Sequence, residues 1–275
     1  MYGQGGADWT QWTVSVTDGA GAVTEVSGAE CDGSYQAPVD MPASSSSDNW
    51  DRRQGSYYNK LMVPAQATNI PTGSFLIQDA VMGDFYYAYT GASFTHDTHY
   101  HVSESYSSSK VRLVSPSEHT IDGTSYALEL QIYAGRLGDD ESATKHAHLI
   151  YSVLFEADDT APADATAAAA IAEGADNWDD RWGALIFGQS YQSRSKFSTA
   201  RGSTGELPVG DLLMENVAAE YWNYDGSNTQ LPCDQFADVI VSTKTYKVHS
   251  DVVALYTQNY AGNAAFGSHG NNRNV

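Results

Sequence analysis

From about residue 60 to residue 155 the chain alternates apolar and polar positions in short runs. Period-2 patterning predicts strands over 74–78, 85–89, 99–103, 111–114, 126–133 and 148–156, each bounded by clusters of Gly, Asp and Ser. The longest apolar stretches, such as 149–155, are strand-length, far short of the roughly 18–20 residues that cross a bilayer. Residues 1–55 are rich in Gly, Ser, Asp and Trp with little periodicity, and read as irregular chain wrapped on a core, with a loop at 44–47. The Ala-rich run 166–175 has good helix propensity, and its acidic flanks suggest an exposed surface helix or a mobile insertion. Residues 207–222 hold a helical turn or two, and 238–242 and 252–256 read as the last strands. With no internal repeat and no splitting linker, the expectation is one mixed, β-dominated domain over 1–275.

Composition narrows the classes of function. Thirty-four acids against 14 bases give a formal net charge of −20, which excludes nucleic acid as an expected partner, because phosphate contacts need Lys and Arg. The acidic runs lack the Asp-x-Asp-x-Asp-Gly spacing of a calcium loop, so the charge reads first as a solubilising surface. The first residues, MYGQGGADW, show neither a basic nor an apolar leader region, and no Asn-x-Ser/Thr sequon occurs. Two cysteines, Cys31 and Cys233, lie far apart; by themselves they allow two buried thiols or one long-range disulfide.

Four segments carry a more specific signal. They are ECDGSYQAPVDM at 30–41, SPSEHTIDGTSYALEL at 115–130, YWNYDGSNTQLPC at 221–233, and GNNRNV at 270–275. Together, in order and spacing, they resemble the α-carbonic anhydrases. That family has an early Cys-x-Gly-x-x-Gln-Ser-Pro-(Val/Ile)-Asp segment and a central Phe-His-Phe-His-x-Pro-Ser-Glu-His-x-(Ile/Val)-Asp-Gly segment leading into Glu-Leu-His-Leu-Val-His. Its late segment is Tyr-x-Gly-Ser-Leu-Thr-Thr-Pro-Pro-Cys, followed by an Asn-Asn-Arg-Pro-Val-Gln tail. The resemblance implies a central twisted, mostly antiparallel sheet with short peripheral helices. It also implies a Cys31–Cys233 disulfide, and hence an extracytoplasmic setting such as a secreted, cell-surface or lumenal one. The family usually continues past its tail segment into a final edge segment, whereas this chain stops at Val275. An uncovered sheet edge would invite pairing with another chain.

The family's chemistry needs three neutral His nitrogens on Zn²⁺ and a metal-bound water of lowered pKa. With the register set by SEHTIDG, the resemblance places the ligand positions at Arg112, Val114 and Gln131. Arg112 is a permanent cation, Val114 has no donor atom, and Gln131 offers only a weak carbonyl oxygen, so no metal and no other cofactor is expected. Glu118 and Thr229 match the pair that orients the zinc-bound hydroxide, and Glu129 matches the acid behind the third His. The expectation is that the Arg112 guanidinium takes over the lost positive charge and pairs with Glu118 or Glu129, since a buried unpaired carboxylate is costly. The substrate wall departs too, with Tyr133 at a Val-sized position and Asn228, Gln230 and Leu231 around Thr229.

The leading functional expectation is therefore a catalytically inactive carbonic-anhydrase-like domain acting as a structural or interaction subunit, with a protein partner or assembly. One alternative is an enzyme with a relocated metal site at His96, His99 and His101 or at His146 and His148, or with residual CO₂ hydratase activity. Either His99 or His101 falls near the family's proton-shuttle position. Another alternative is a small-anion binding module using Arg112, against which bulky Tyr133 argues. His119 reads as a structural hydrogen-bonding residue.

Overall fold

A computed structural model of the protein describes residues 13–17, 23–27, 37–42, 61–62, 67–71, 74, 76–78, 85–97, 103–137, 147–188, 206–216, 221–229, 233 and 235–261. The β-branched alternation of TVSVT and VTEVS makes an antiparallel hairpin, β1 (Thr13–Thr17) with β2 (Val23–Ser27). This corrects the reading of 1–55 as irregular throughout. Short strands follow: β3 (Asp40–Met41), β4 (Leu61–Met62), β5 (Ile70–Pro71), β6 (Leu76–Gln78), β7 (Phe85–Ala88) and β8 (Ser93–Asp97). The longer central strands are β9 (Ser103–Val114), β12 (Leu128–Arg136) and β13 (His148–Ala157), with the two-residue β10 (Thr120–Ile121) and β11 (Thr124–Ser125) between the first two. The remainder are β14 (Glu206–Leu207), β15 (Tyr221–Ser227), β16 (Gln235–Ser242) and β17 (Tyr246–Val248).

Among the described residues the main sheet has ten strands, running β15-β16-β13-β12-β9-β7-β6, with β17 alongside β13 and β4-β8 alongside β9. Its pairings are antiparallel except β13 with β16 and β13 with β17, which are parallel. The sheet is thus mostly antiparallel, as the resemblance implied. The predicted strand at 99–103 lies largely outside the described residues, between β8 and β9.

Alternation decides which side chains meet on each face. On β12, Leu128, Leu130, Ile132 and Ala134 turn to one face; with Val111, Leu113, Val153, Phe155 and Ile240 they form the larger apolar core. Helical segments cover that core. Asp164 caps α1 (Ala165–Ala169) by accepting from the Ala167 N–H at 2.8 Å. A single turn at Trp178–Asp180 leads into α2 (Arg181–Gly183) and a wide π-type turn, Ala184–Gly188, which buries Leu185, Ile186 and Phe187. The helices α3 (Val209–Asn216) and α4 (Ser250–Ala261) pack Leu212, Leu213, Val252 and Tyr256 into the same core. The 252–256 run is therefore a helix and not the predicted strand: its buried residues, Val252 and Tyr256, are four apart on one helical face. The 166–175 helix closes after five residues, and 207–222 divides into α3 and the start of β15.

The opposite face carries Glu129, Gln131 and Tyr133 on β12, Arg112 and Val114 on β9, and Ile150, Leu154, Val239 and Val241 on neighbouring strands. No described helix is long and apolar enough to cross a membrane.

Candidate functional site

Three of the motif segments converge on this second face. Asp122 and Gly123, with φ of 51° and 70°, make the tight two-residue turn between β10 and β11 that Asp-Gly favours. Asp40 holds that turn, its Oδ1 accepting from Thr120 Oγ1 at 2.7 Å and Gly123 N at 2.8 Å, while β3 pairs with β10 in parallel. The Ala37 N–H donates to Ser227 Oγ at 3.1 Å, bringing in the late segment that bears Thr229. The tail segment, 270–275, lies outside the described residues.

The register of β9 against β12 sets Arg112 opposite Gln131 and Val114 opposite Glu129. The Arg112 guanidinium is fully buried, and its Nη1 lies 2.8 Å from Glu118 Oε1, 3.0 Å from Gln131 Oε1 and 3.3 Å from Thr229 Oγ1. The expected pairing is with Glu118; Glu129 engages other groups. Glu129 Oε2 accepts the backbone N–H groups of Glu118 at 2.7 Å and His119 at 3.1 Å, and its Oε1 lies 2.7 Å from His119 Nδ1. On its far side His119 Nε2 meets Tyr224 OH at 2.7 Å, which gives it the hydrogen-bonding role read from sequence.

Gln131 bridges the two acids. Its Nε2 donates to Glu118 Oε2 at 2.7 Å and to Glu129 Oε1 at 2.9 Å, and its Oε1 accepts from Arg112 and from Tyr133 OH at 2.9 Å. Two carboxylates on one end and a guanidinium on the other fix the amide's orientation. The Tyr133 hydrogen is then committed to Gln131, so Thr229 Oγ1 donates to Tyr133 OH across 2.9 Å. These groups are buried, Tyr133 at 6% exposure being the most accessible. At the outer end, Lys110 Nζ sits 4.4 Å from the centroid of the Tyr133 ring and 5.5 Å from that of Tyr86.

Burial pushes the Glu129 carboxyl upward, but attraction to the His119 ring and hydrogen bonds from His119 and Gln131 outweigh it and hold the group at about 2. Burial raises the Tyr133 phenol, with the Arg112 charge pulling the other way and Glu118 adding to the rise. The Arg112–Gln131–Tyr133 linkage through one amide oxygen was not foreseen in the sequence. Its one available signal was the simultaneous change at three positions that share a sheet face.

Zinc does not fit this donor set. Arg112 brings its own positive charge and directs N–H groups at the oxygens a metal would need, Val114 brings no donor, and the Gln131 oxygen already accepts two hydrogen bonds. Among the described residues no group of three or more His, Cys, Asp or Glu is placed to hold a metal ion. His148 is exposed at the start of β13, the backbone of His96 lies in β8, and His99, His101 and His146 lie outside the described residues. Cys233 is buried with a φ of 62°, whereas Cys31, Gln230 and Leu231 lie outside the described residues.

The mostly antiparallel sheet, the motif segments locked around Asp40 and Ser227, and the Glu118–Thr229–Glu129 frame define a carbonic-anhydrase-like scaffold. The chain belongs to the eukaryotic-type carbonic anhydrase family, whose model matches residues 24–274. Among solved structures it is similar to a halotolerant carbonic anhydrase from Dunaliella salina (18% identity, 100% of this chain and 93% of that one, TM-score 0.58). It is similar also to a fungal α-carbonic anhydrase from Aspergillus oryzae (16% identity, 88% and 82% covered, TM-score 0.54). An α-carbonic anhydrase from Photobacterium profundum gives 16% identity, 90% and 88% coverage and a TM-score of 0.55. At these identities the likeness speaks to the fold. No curated protein matches the chain in sequence.

Proposed function

We propose that this chain is a non-catalytic member of its family, a domain whose metal centre has been exchanged for an internal ion pair and which serves as a structural or interaction subunit. The observation that carries the reading is the contact of Arg112 Nη1 with Glu118, Gln131 and Thr229 at 2.8, 3.0 and 3.3 Å. A hydratase needs a metal-bound hydroxide at an open position. Here a guanidinium and a tyrosine occupy the space between the acids and Thr229, and their hydrogen bonds are committed inward. The same inward commitment disfavours an anion-binding role for Arg112.

The family resemblance and the buried position of Cys233 support a Cys31–Cys233 disulfide, and with it an extracytoplasmic location. The acidic surface supports a protein or small-cation partner over a nucleic acid. The direct test is a stopped-flow CO₂-hydration assay on the purified chain with zinc supplied. The expected rate equals that of buffer; a saturable, sulfonamide-inhibited rate refutes the proposal.

A further inference from the structure

We infer that Arg112 fills a buried cation subsite lined by Glu118, Gln131 and Thr229, so that removing the side chain leaves an acid-lined pocket which free guanidinium ion enters. The inference rests on the replacement of the metal centre proposed above and adds a ligand class to it.

Three oxygen acceptors converge on one guanidinium nitrogen: a carboxylate, an amide carbonyl and a hydroxyl. Each is held by a partner other than Arg112. Glu118 Oε2 is fixed by the Gln131 amide, Gln131 by Glu129, and Thr229 by Tyr133. Glu129 is in turn fixed by two backbone N–H groups and the His119 ring. The polar walls therefore keep their orientation without the arginine. Carboxylate, carbonyl and hydroxyl all accept, so the vacated space selects a hydrogen-bond donor carrying positive charge. The relay Glu129–Gln131–Arg112 runs carboxylate to amide to cation, the order in which a carboxylate steadies a metal-bound histidine. Free guanidinium is the matching probe because it reproduces the head group that Arg112 itself places among these three acceptors.

The experiment compares thermal unfolding of the wild type and Arg112→Ala in millimolar guanidinium or methylguanidinium chloride, with sodium and tetramethylammonium chloride at matched ionic strength. Arg112→Ala is expected to melt about 10 °C below wild type, because it leaves Glu118 buried without its cation. Guanidinium then restores at least half of that loss in a saturable manner, while the control salts do not, and wild type gains nothing. If Arg112→Ala does not accumulate folded, refolding yield from urea with and without guanidinium supplies the same comparison, a selective gain supporting the inference and equal yields overturning it. In Arg112→Met/Glu118→Gln both charges are absent and the space is filled, so no response is expected. Absence of selective rescue in Arg112→Ala, or an equal response in the double variant, overturns the inference. CO₂ hydration by the wild type would refute the non-catalytic reading without altering these melting comparisons.

Discussion

At the level of single residues, the buried face is organised by charge. Arg112 and Glu118 offset each other, and Glu129 is held ionised by His119, Gln131 and two backbone N–H groups. Because the folded-state pKa of Glu129 is depressed from 4.5 to about 2, its contribution to stability is present above pH ~4.5 and is lost as the pH falls towards 2. Glu129→Gln should therefore be less stable than wild type by about 3 kcal/mol near neutrality, and the gap in urea midpoints should close between pH ~4.5 and ~2. Tyr133→Phe removes one donor to Gln131 and leaves Thr229 short of a partner, so urea unfolding should record a loss of about 1–3 kcal/mol. The Arg112 pairing was legible because the unbroken SEHTIDG segment fixes the register by counting. The roles of Gln131 and Tyr133 were not, since they depend on which residues lie opposite across strands. The β9–β12 pairing shifts at Tyr133/Ala134, where Ser109 is the extra residue, and a bulge of that kind leaves little trace in an amphipathic pattern.

Secondary elements show where periodicity suffices. β7, β12, β13 and β16 fall close to their predicted positions because their alternation matches a half-buried pleat. The error at 252–256 arises from a short apolar run, VVALY, whose period does not separate strand from helix. The β1–β2 hairpin was missed because the surrounding Gly and Asp residues outweigh its five-residue strands. The segment from Trp178 to Gly188 is fastened by local stacking on Arg181 and by an ion pair to a distant helix. The guanidinium carbon of Arg181 lies 3.3 Å from the ring centroid of Trp178 and 3.9 Å from that of Trp182, and Arg181 pairs with Glu215 of α3 at 2.8 Å. Arg181→Ala should cost about 2 kcal/mol and change tryptophan emission, whereas Arg181→Lys should keep the charge but recover little of the stacking. Gly183 sits where a Cβ would collide with the Lys247 carbonyl oxygen and come within 2.7 Å of Val248 Cα, both backbone atoms. Gly183→Ala should therefore lower stability by about 1–3 kcal/mol through displacement of β17, readable as a lower melting temperature.

Across the whole molecule, the motif segments of the family also carry structure. Asp40 clamps the Asp-Gly turn and Ser227 anchors Ala37, contacts that persist whatever the centre binds. A net charge of −20 repels itself in the compact state, so added sodium chloride should raise the melting temperature of the wild type by a few degrees through screening. The central proposal is the exchange of a metal for Arg112. Elemental analysis of the native purified chain, freed of loosely bound ions by gel filtration, tests it: the expected result is zinc far below one equivalent per chain, and a stoichiometry near one would contradict it.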